Sequence, residues 1–415
     1  MRRERWSEVL EIGFYVLLGL LALVLLSFAV DLYPVLRDWV GRIHIGRFRD
    51  AGVWAQSIND RGARWLSKTP TIKLTDNSRL VLLDMLSGNY SRSQIQQWQE
   101  GALLLGFSEY LRHRQDEALD KRVSHYFEAK FNSDGSWREK PRFVDAGLLA
   151  YGVMKLAGEK ADRFRPALDE MWALIADHVG ADGTVQYRKS MPDYRYVDTI
   201  GFICPFLVLY GVRYGKEECV ELALRQLRQY EREGMLDKSS LPGHAYHVGR
   251  GLPAGLYGWG RGLGWFAIGL IDAWNELPAH HSGRNELEGM IVRFAQSLLK
   301  LQNPSGSWGW AVTRGESRQD SSATVMLGWF LQLASGIKGL EKSCGEGARR
   351  AAAYLMSVTR RNGAVDFSQG DTKDIGVYST HFTILPFTQG FSIRLAELQQ
   401  HNEGVRDGGG IKEAV

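Results

Sequence analysis

The stretch Leu256-Tyr257-Gly258-Trp259-Gly260-Arg261-Gly262-Leu263-Gly264-Trp265 runs without a break into Phe266-Ala267-Ile268-Gly269-Leu270-Ile271-Asp272-Ala273-Trp274. The second half is apolar on every face of a 3.6-residue helix, so it has to be enclosed by other elements rather than laid on a surface. The first half gathers glycines, two indoles and one guanidinium where that helix begins. Glycine lets a backbone come close to a neighbour, so the segment reads either as a stacking platform for a ligand or as a tight turn whose tryptophans cap a core. Trp259 and Trp265 supply flat stacking surfaces, and Arg261 supplies a fork suited to carboxylates. A phosphate-cradling loop would need a strand before it, and none is read here.

Five further stretches share this apolar character. With the first they begin near Trp98, Asp145, Asp198, Arg261, Ser321 and Thr383, at a spacing of roughly 50 to 60 residues, the kind of period that marks a repeat architecture. Amphipathic helices alternate with them: Glu117–Phe131, Phe164–His178, Glu217–Glu233, Glu286–Gln302 and Glu346–Val358. Asp134-Gly135, Asp182-Gly183, Ser305-Gly306 and Asn362-Gly363 mark turns before the next apolar helix, since these residues tolerate positive φ. Apolar and amphipathic helices alternating in hairpins predict an all-α (α/α)6 toroid, with the apolar set inside. An open solenoid is the alternative.

The chain has 415 residues, a net charge of +4, 13 Trp and 16 Tyr. So small a charge excludes a nucleic-acid partner as the reading of choice, while the aromatic content suits carbohydrate. Cys204, Cys219 and Cys344 are odd in number and widely spaced, which gives neither a disulfide framework nor a metal-ligand pattern; no metal and no cofactor is expected. Ile12–Val30 carries no charge and follows Arg2-Arg3-Glu4-Arg5, so it is long enough to cross a bilayer and lacks a good cleavage site. Residues 1–31 are therefore read as a cytoplasmic tip and transmembrane anchor, 32–75 as a juxtamembrane stalk, 76–400 as the toroid and 401–415 as a flexible tail. The basic amino end favours an extracytoplasmic body (periplasmic or extracellular).

In a toroid the inner helices run parallel and their amino ends share one rim. Those starts are polar: Gln97-Trp98-Gln99-Glu100, Val144-Asp145, Val197-Asp198, Trp259-Gly260-Arg261, Asp320-Ser321-Ser322 and Ser379-Thr380-His381. Each Asp or Ser alone reads as a helix cap. Six helix amino ends around one cavity also favour an anionic ligand.

The ordered set resembles the family 88 and family 105 glycoside hydrolases, the unsaturated glucuronyl and rhamnogalacturonyl hydrolases. Gln97–Gly106, Val144-Asp145-Ala146-Gly147, Tyr196–Phe202 with Pro205-Phe206-Leu207, and Asp320–Met326 are similar to four of that family's inner helices. Leu256–Trp265 resembles its most specific motif, Trp-x-Arg-Gly-x-Gly-Trp. The resemblance implies removal of a 4,5-unsaturated uronic acid from the non-reducing end of an anionic oligo- or polysaccharide. An acid protonates C4, water adds at C5, and the hemiketal opens, so no glycosyl-enzyme forms. It also implies roles: Asp198 as the acid/base, Asp145 as the second active-site carboxylate, and Trp98, His244, Trp259, Arg261, Trp265 and Asp320 around the sugar, Arg261 by way of the uronate. The sequence departs from the family pattern at Phe202, His247 and Leu263. Two other readings stay open. One is a lyase or epimerase on uronic-acid polymers, with Tyr246, His244 or His247 as base; the other is an inactive polysaccharide-binding subunit of a membrane assembly.

Overall fold

The computed structural model describes residues 2–70, 72–92, 95–236 and 239–409. Among them the chain forms fourteen α-helices: α1 (Arg2–Arg42), α2 (Ala51–Ser67), α3 (Val81–Leu86), α4 (Gln97–His113), α5 (Glu117–Lys130), α6 (Gly147–Ala157), α7 (Arg165–Ala176), α8 (Val197–Tyr214), α9 (Glu217–Glu233), α10 (Gly260–Glu276), α11 (Ser282–Leu301), α12 (Ser321–Ala334), α13 (Glu341–Ser357) and α14 (Pro386–Gly409). The even-numbered helices from α4 to α14 form the inner ring. Each packs on the next and α14 closes on α4, which makes the toroid closed and excludes the open solenoid. In α10 every residue from Gly260 to Trp274 is buried, as an all-apolar helix requires.

One helix stands where the sequence suggested a stalk. α2 is capped by Asp50 and buries Trp54, Ile58 and Trp65 against the ring, so it belongs to the toroid as its sixth outer helix. The recurring turns show why. Gly135, Gly183, Gly306 and Gly363 all have φ between +75° and +87°, and each turn lies against the next outer helix or the segment leading into it. Gly135 abuts the Arg163 carbonyl just before α7, and Gly306 abuts Arg350 of α13. Gly363, after α13, abuts the Ser57 carbonyl of α2. A Cβ at Gly363 would stand 2.1 Å from that oxygen, whereas one at Gly215, also at positive φ, would meet nothing. Gly215→Ala should therefore cost only the left-handed penalty, about 1 kcal/mol, and Gly363→Ala at least twice that. Denaturant midpoints of the full chain in detergent measure the difference; equal losses would remove α2 from the ring.

α1 is joined to this body by charge. Arg42 donates to both oxygens of buried Asp366, at 2.8 and 3.2 Å, and to the Phe382 carbonyl at 3.2 Å. Arg360 donates to Asp366 at 2.7 Å and to Asp38 of α1 at 3.2 Å. Burial raises the Asp366 pKa, but its bonds to Arg42 and Arg360 more than offset that and hold it below the usual carboxylate range. α14 runs on to Gly409, into the stretch expected as a tail; residues 410–415 lie outside the described ones. Among the described residues two helices, α1 and α8, are long and apolar enough to cross a membrane, but α8 is ring core while no residue in the apolar part of α1 is buried.

Candidate active site

A short three-stranded antiparallel sheet sits at the rim: Tyr194–Tyr196, Ala245–His247 and Leu252–Ala254, with Ala245–His247 in the middle. The first strand runs straight into α8, which puts Asp198 in the first turn of that inner helix. The Val197 amide donates to the His244 carbonyl at 3.0 Å, and this bond brings His244 beside Asp198. His244 Nε2 lies 3.7 Å from Asp198 Oδ2, too far for a hydrogen bond. Asp198 Oδ2 and His244 Nδ1 have no hydrogen-bond partner among the described residues.

Both side chains are driven toward neutrality. Burial lifts the Asp198 pKa to about 7, against the opposing charges of Arg261 and Arg188. Burial, with Arg261 adding to it, pushes His244 down to about 4. Between those values the contact is an imidazole beside a carboxylic acid, not an ion pair. Asp145, at the start of the second inner helix, is lifted by burial to about 6 although an Ala146 backbone bond and Arg188 oppose it. Tyr187 stands by both aspartates: burial first, then the charges of Asp145 and Asp198, raise its hydroxyl pKa well above the ordinary value. Asp145, Asp198, His244 and Tyr187 thus form one partly accessible group.

Other expected residues stand behind that group. Trp265 lies in an aromatic cluster with Trp98 at 5.5 Å, Phe202 at 4.5 Å and Phe387 at 5.9 Å between ring centres. Trp98 and Trp265 are 6% and 1% exposed, so they floor the site rather than offer open stacking faces. Trp259 is 1% exposed; it packs on His244 at 4.5 Å and donates to Gln369 Oε1 at 2.9 Å. Asp320 is fully buried and caps α12, accepting from Ser322 N at 2.9 Å and Gln369 N at 3.0 Å. The capping reading explains Asp320 completely, and its expected contact with sugar is withdrawn. Tyr246 packs edge-on against Tyr230, with ring centres 5.3 Å apart, and is 1% exposed, so it offers no open face to a saccharide as a base would.

Arg261 also differs from expectation. Its Nη2 donates to the Gln369 carbonyl at 2.8 Å and to the Gly370 carbonyl, and Nη1 is 3.5 Å from Asp371. The guanidinium is tied to the segment after the strand Ser368–Gln369 rather than left open for a uronate. The glycines of the same motif serve packing: a Cβ at Gly260 would meet the Gly309 carbonyl at 2.5 Å, and one at Gly264 would meet Met326 at 2.9 Å. Room for protein, not for sugar, explains them.

Three further residues contribute to the site without belonging to any of the motifs quoted above. The Leu256 amide donates to the Tyr378 hydroxyl oxygen at 2.7 Å, and the Tyr378 ring lies 5.4 Å from His244 and 5.3 Å from Trp259. Arg188 is exposed and acts on both aspartates. Tyr187 and Arg188 come four and five residues after Gly183 of the Asp182-Gly183 turn, and that spacing is the one signal that would have flagged them. Among the described residues no group of His, Cys, Asp and Glu is arranged to hold a metal.

Residues 76–384 match the family described as Glycosyl Hydrolase Family 88. A curated relative, the unsaturated rhamnogalacturonyl hydrolase YesR of Bacillus subtilis (strain 168), is 23% identical over 175 residues. That match takes in 42% of this chain and 49% of the relative, so the chain spans about half the length of the protein it matches. Among solved structures, a possible member of family GH105 from Salmonella enterica serovar Paratyphi A superposes with a TM-score of 0.70 at 17% identity, covering 85% of this chain and 94% of that one. An unsaturated glucuronyl hydrolase from Bacillus sp. GL1 gives 0.61 at 15% identity, covering 86% and 97%. At such identities the structural likeness establishes the toroid.

Proposed function

The chain belongs to glycosyl hydrolase family 88, and on that premise we propose that it removes 4,5-unsaturated uronic acid residues from the non-reducing ends of anionic saccharides. The observation that carries this reading is the state of Asp198: a buried carboxyl lifted to about 7, with one oxygen unpartnered among the described residues, at an inner-helix start. A carboxyl of that kind is still an acid near neutral pH, which is what protonation of a vinyl ether demands.

In the proposed reaction the Asp198 carboxyl gives its proton to C4, and the developing positive charge is shared by C5 and the ring oxygen. Water attacks C5 and returns a proton to the Asp198 carboxylate. The hemiketal then opens by breaking the bond from C5 to the ring oxygen, which gives a C5 ketone and a C1 hemiacetal; collapse of that hemiacetal to an aldehyde breaks the glycosidic bond and releases the remaining saccharide with a proton on its oxygen. Asp145 holds sugar hydroxyls, neutral His244 lies against the same ring, and Tyr187 and Tyr378 line the approach. Arg188, exposed and within electrostatic reach of both aspartates, is the better cation for the uronate, because Arg261 is occupied by carbonyls.

α1 is the anchor of this enzyme in the proposed reading. Its apolar length and exposure support insertion, and Arg2, Arg3 and Arg5 at its amino end favour a body outside the cytoplasm. Since Asp38 and Arg42 are bonded into the body, the assay should use the full chain in detergent rather than a body cut after residue 35. Unsaturated uronyl disaccharides from several polysaccharides are incubated with it, and the ultraviolet absorbance of the double bond is followed. Loss of absorbance with release of the partner sugar is expected for at least one. Binding without loss across the panel would favour the inactive carbohydrate-binding subunit instead.

A further inference from the structure

We propose that α3 lies in the headgroup boundary of the bilayer that α1 crosses, as a second and shallow membrane contact holding the body against the lipid surface. The inference rests on α1 being the anchor. α3 is Val81-Leu82-Leu83-Asp84-Met85-Leu86, preceded by Ser78-Arg79-Leu80. Val81 turns into the body at 1% exposure, yet Leu80, Leu83 and Leu86 are 58, 61 and 77% exposed. Three leucines standing out of one short element form a patch that soluble surfaces avoid unless something apolar covers it.

Position says what covers it. The amides of Leu80 and Val81 donate to Asp31 of α1 at 2.7 and 2.8 Å. Asp31 is the first charge after the 19 uncharged residues Ile12–Val30. As a helix they measure about 28 Å, close to the thickness of a hydrocarbon core, so Asp31 marks the level where lipid gives way to water. α3 is therefore pinned at the height of the headgroups. A groove of about 480 Å³ runs between the two helices, lined by Val24, Phe28, Leu32 and Leu80 among others, and joins the exposed apolar face of α1 to that of α3. Arg79 and Arg37 flank the junction, as suits anionic lipid. The one charge of the element, half-buried Asp84, accepts a hydrogen bond from Asn77 at 2.9 Å.

The contact bears on the active site through one hairpin. Ser368–Gln369 pairs with Phe382–Thr383; Arg42 of α1 bonds Phe382, and Asp76, just before α3, bonds Ser379. Between those strands the chain carries Asp371 and Tyr378 into the site. Lipid contact through both α1 and α3 holds the mouth beside the membrane, so the saccharides it meets are those held at or near a lipid surface.

The test uses the full chain in vesicles of mixed neutral and anionic lipid. All three native cysteines are buried, so a polarity-sensitive maleimide dye on Leu83→Cys reports one place. The same dye on Leu21→Cys serves as the anchor control and on Lys342→Cys as the aqueous control. Lipids brominated near the headgroup should quench the dye at 83 by at least ~half of what chain-end bromination does at 21, as an interfacial helix requires. Quenching at 21 but not at 83 overturns the proposal and leaves the anchor standing. No quenching at 21 overturns both. A dye at 83 shielded from aqueous iodide yet untouched by bromolipid means a protein covers α3, and the lipid assignment falls.

Discussion

Asp198→Asn should lower kcat/KM on an unsaturated uronyl disaccharide by roughly 10²- to 10⁴-fold, the usual worth of a positioned acid, with little change in KM. An amide keeps the shape and cannot deliver a proton to carbon. The wild-type rate should be flat through mildly acidic pH and fall as pH rises through about 7, where the Asp198 carboxyl loses its proton. The same shift has a stability consequence of known sign. The folded-state pKa lies above the unfolded value of about 3.9, so the folded protein holds the proton more tightly and loses stability as pH rises from about 4 to about 7. Asparagine has no proton to lose. The variant should therefore be more stable than wild type by a margin that grows over that window and then levels off at a few kcal/mol, at about 1.4 kcal/mol per unit of pKa. Thermal melts at pH 4.5 and 8 measure it, together with a circular dichroism check that the fold is kept. An Asp198→Asn protein with near-normal turnover would end the acid assignment. A margin that does not grow with pH would show that the carboxyl is not held neutral by burial.

That group of residues was legible in the sequence only where helix starts announce it. Asp145 and Asp198 each open an apolar stretch, and periodicity alone locates an inner-helix start. His244 came from the resemblance, and the structure supplies its reason in the Val197–His244 backbone bond. Tyr378 could not be read: it lies in the irregular segment Asp371–Thr380, where no period links a residue to a place. The aromatic residues of the Gly-Trp motif were located but their duties were not. Exposure decides whether an indole faces sugar or core, and exposure depends on partners distant in sequence such as Phe387 and Gln369. The same limit hid α2. Its amphipathic pattern is plain, but what places it in the ring rather than on a stalk are contacts distant in sequence, Trp54, Ile58 and Trp65 packing inward and Gly363 meeting Ser57.

Arg261 is where fold and chemistry meet, and two substitutions separate its contributions. Arg261→Met removes the charge that does most, after burial, to influence Asp198, and that charge lowers its pKa. The alkaline limb of the rate profile should move up by about one pH unit, the scale of one charge felt across several ångströms of protein. His244 should rise too, because Arg261 helps to hold it down. Methionine also leaves the Gln369 and Gly370 carbonyls without their donor, which costs about 1–3 kcal/mol for each buried group and loosens the segment that carries Asp371 and Tyr378. Misplacement of about 1 Å at that wall is enough to lower kcat by about 10²-fold. Arg261→Lys keeps the charge but lacks the planar fork that reaches two carbonyls and Asp371 together. Its alkaline limb should stay near the wild-type position while kcat still falls. If Arg261 instead gripped the substrate carboxylate, both variants would raise KM strongly and leave kcat nearly intact. A split between kcat and KM, read beside the pH limb, therefore decides whether this arginine builds the site or binds the sugar.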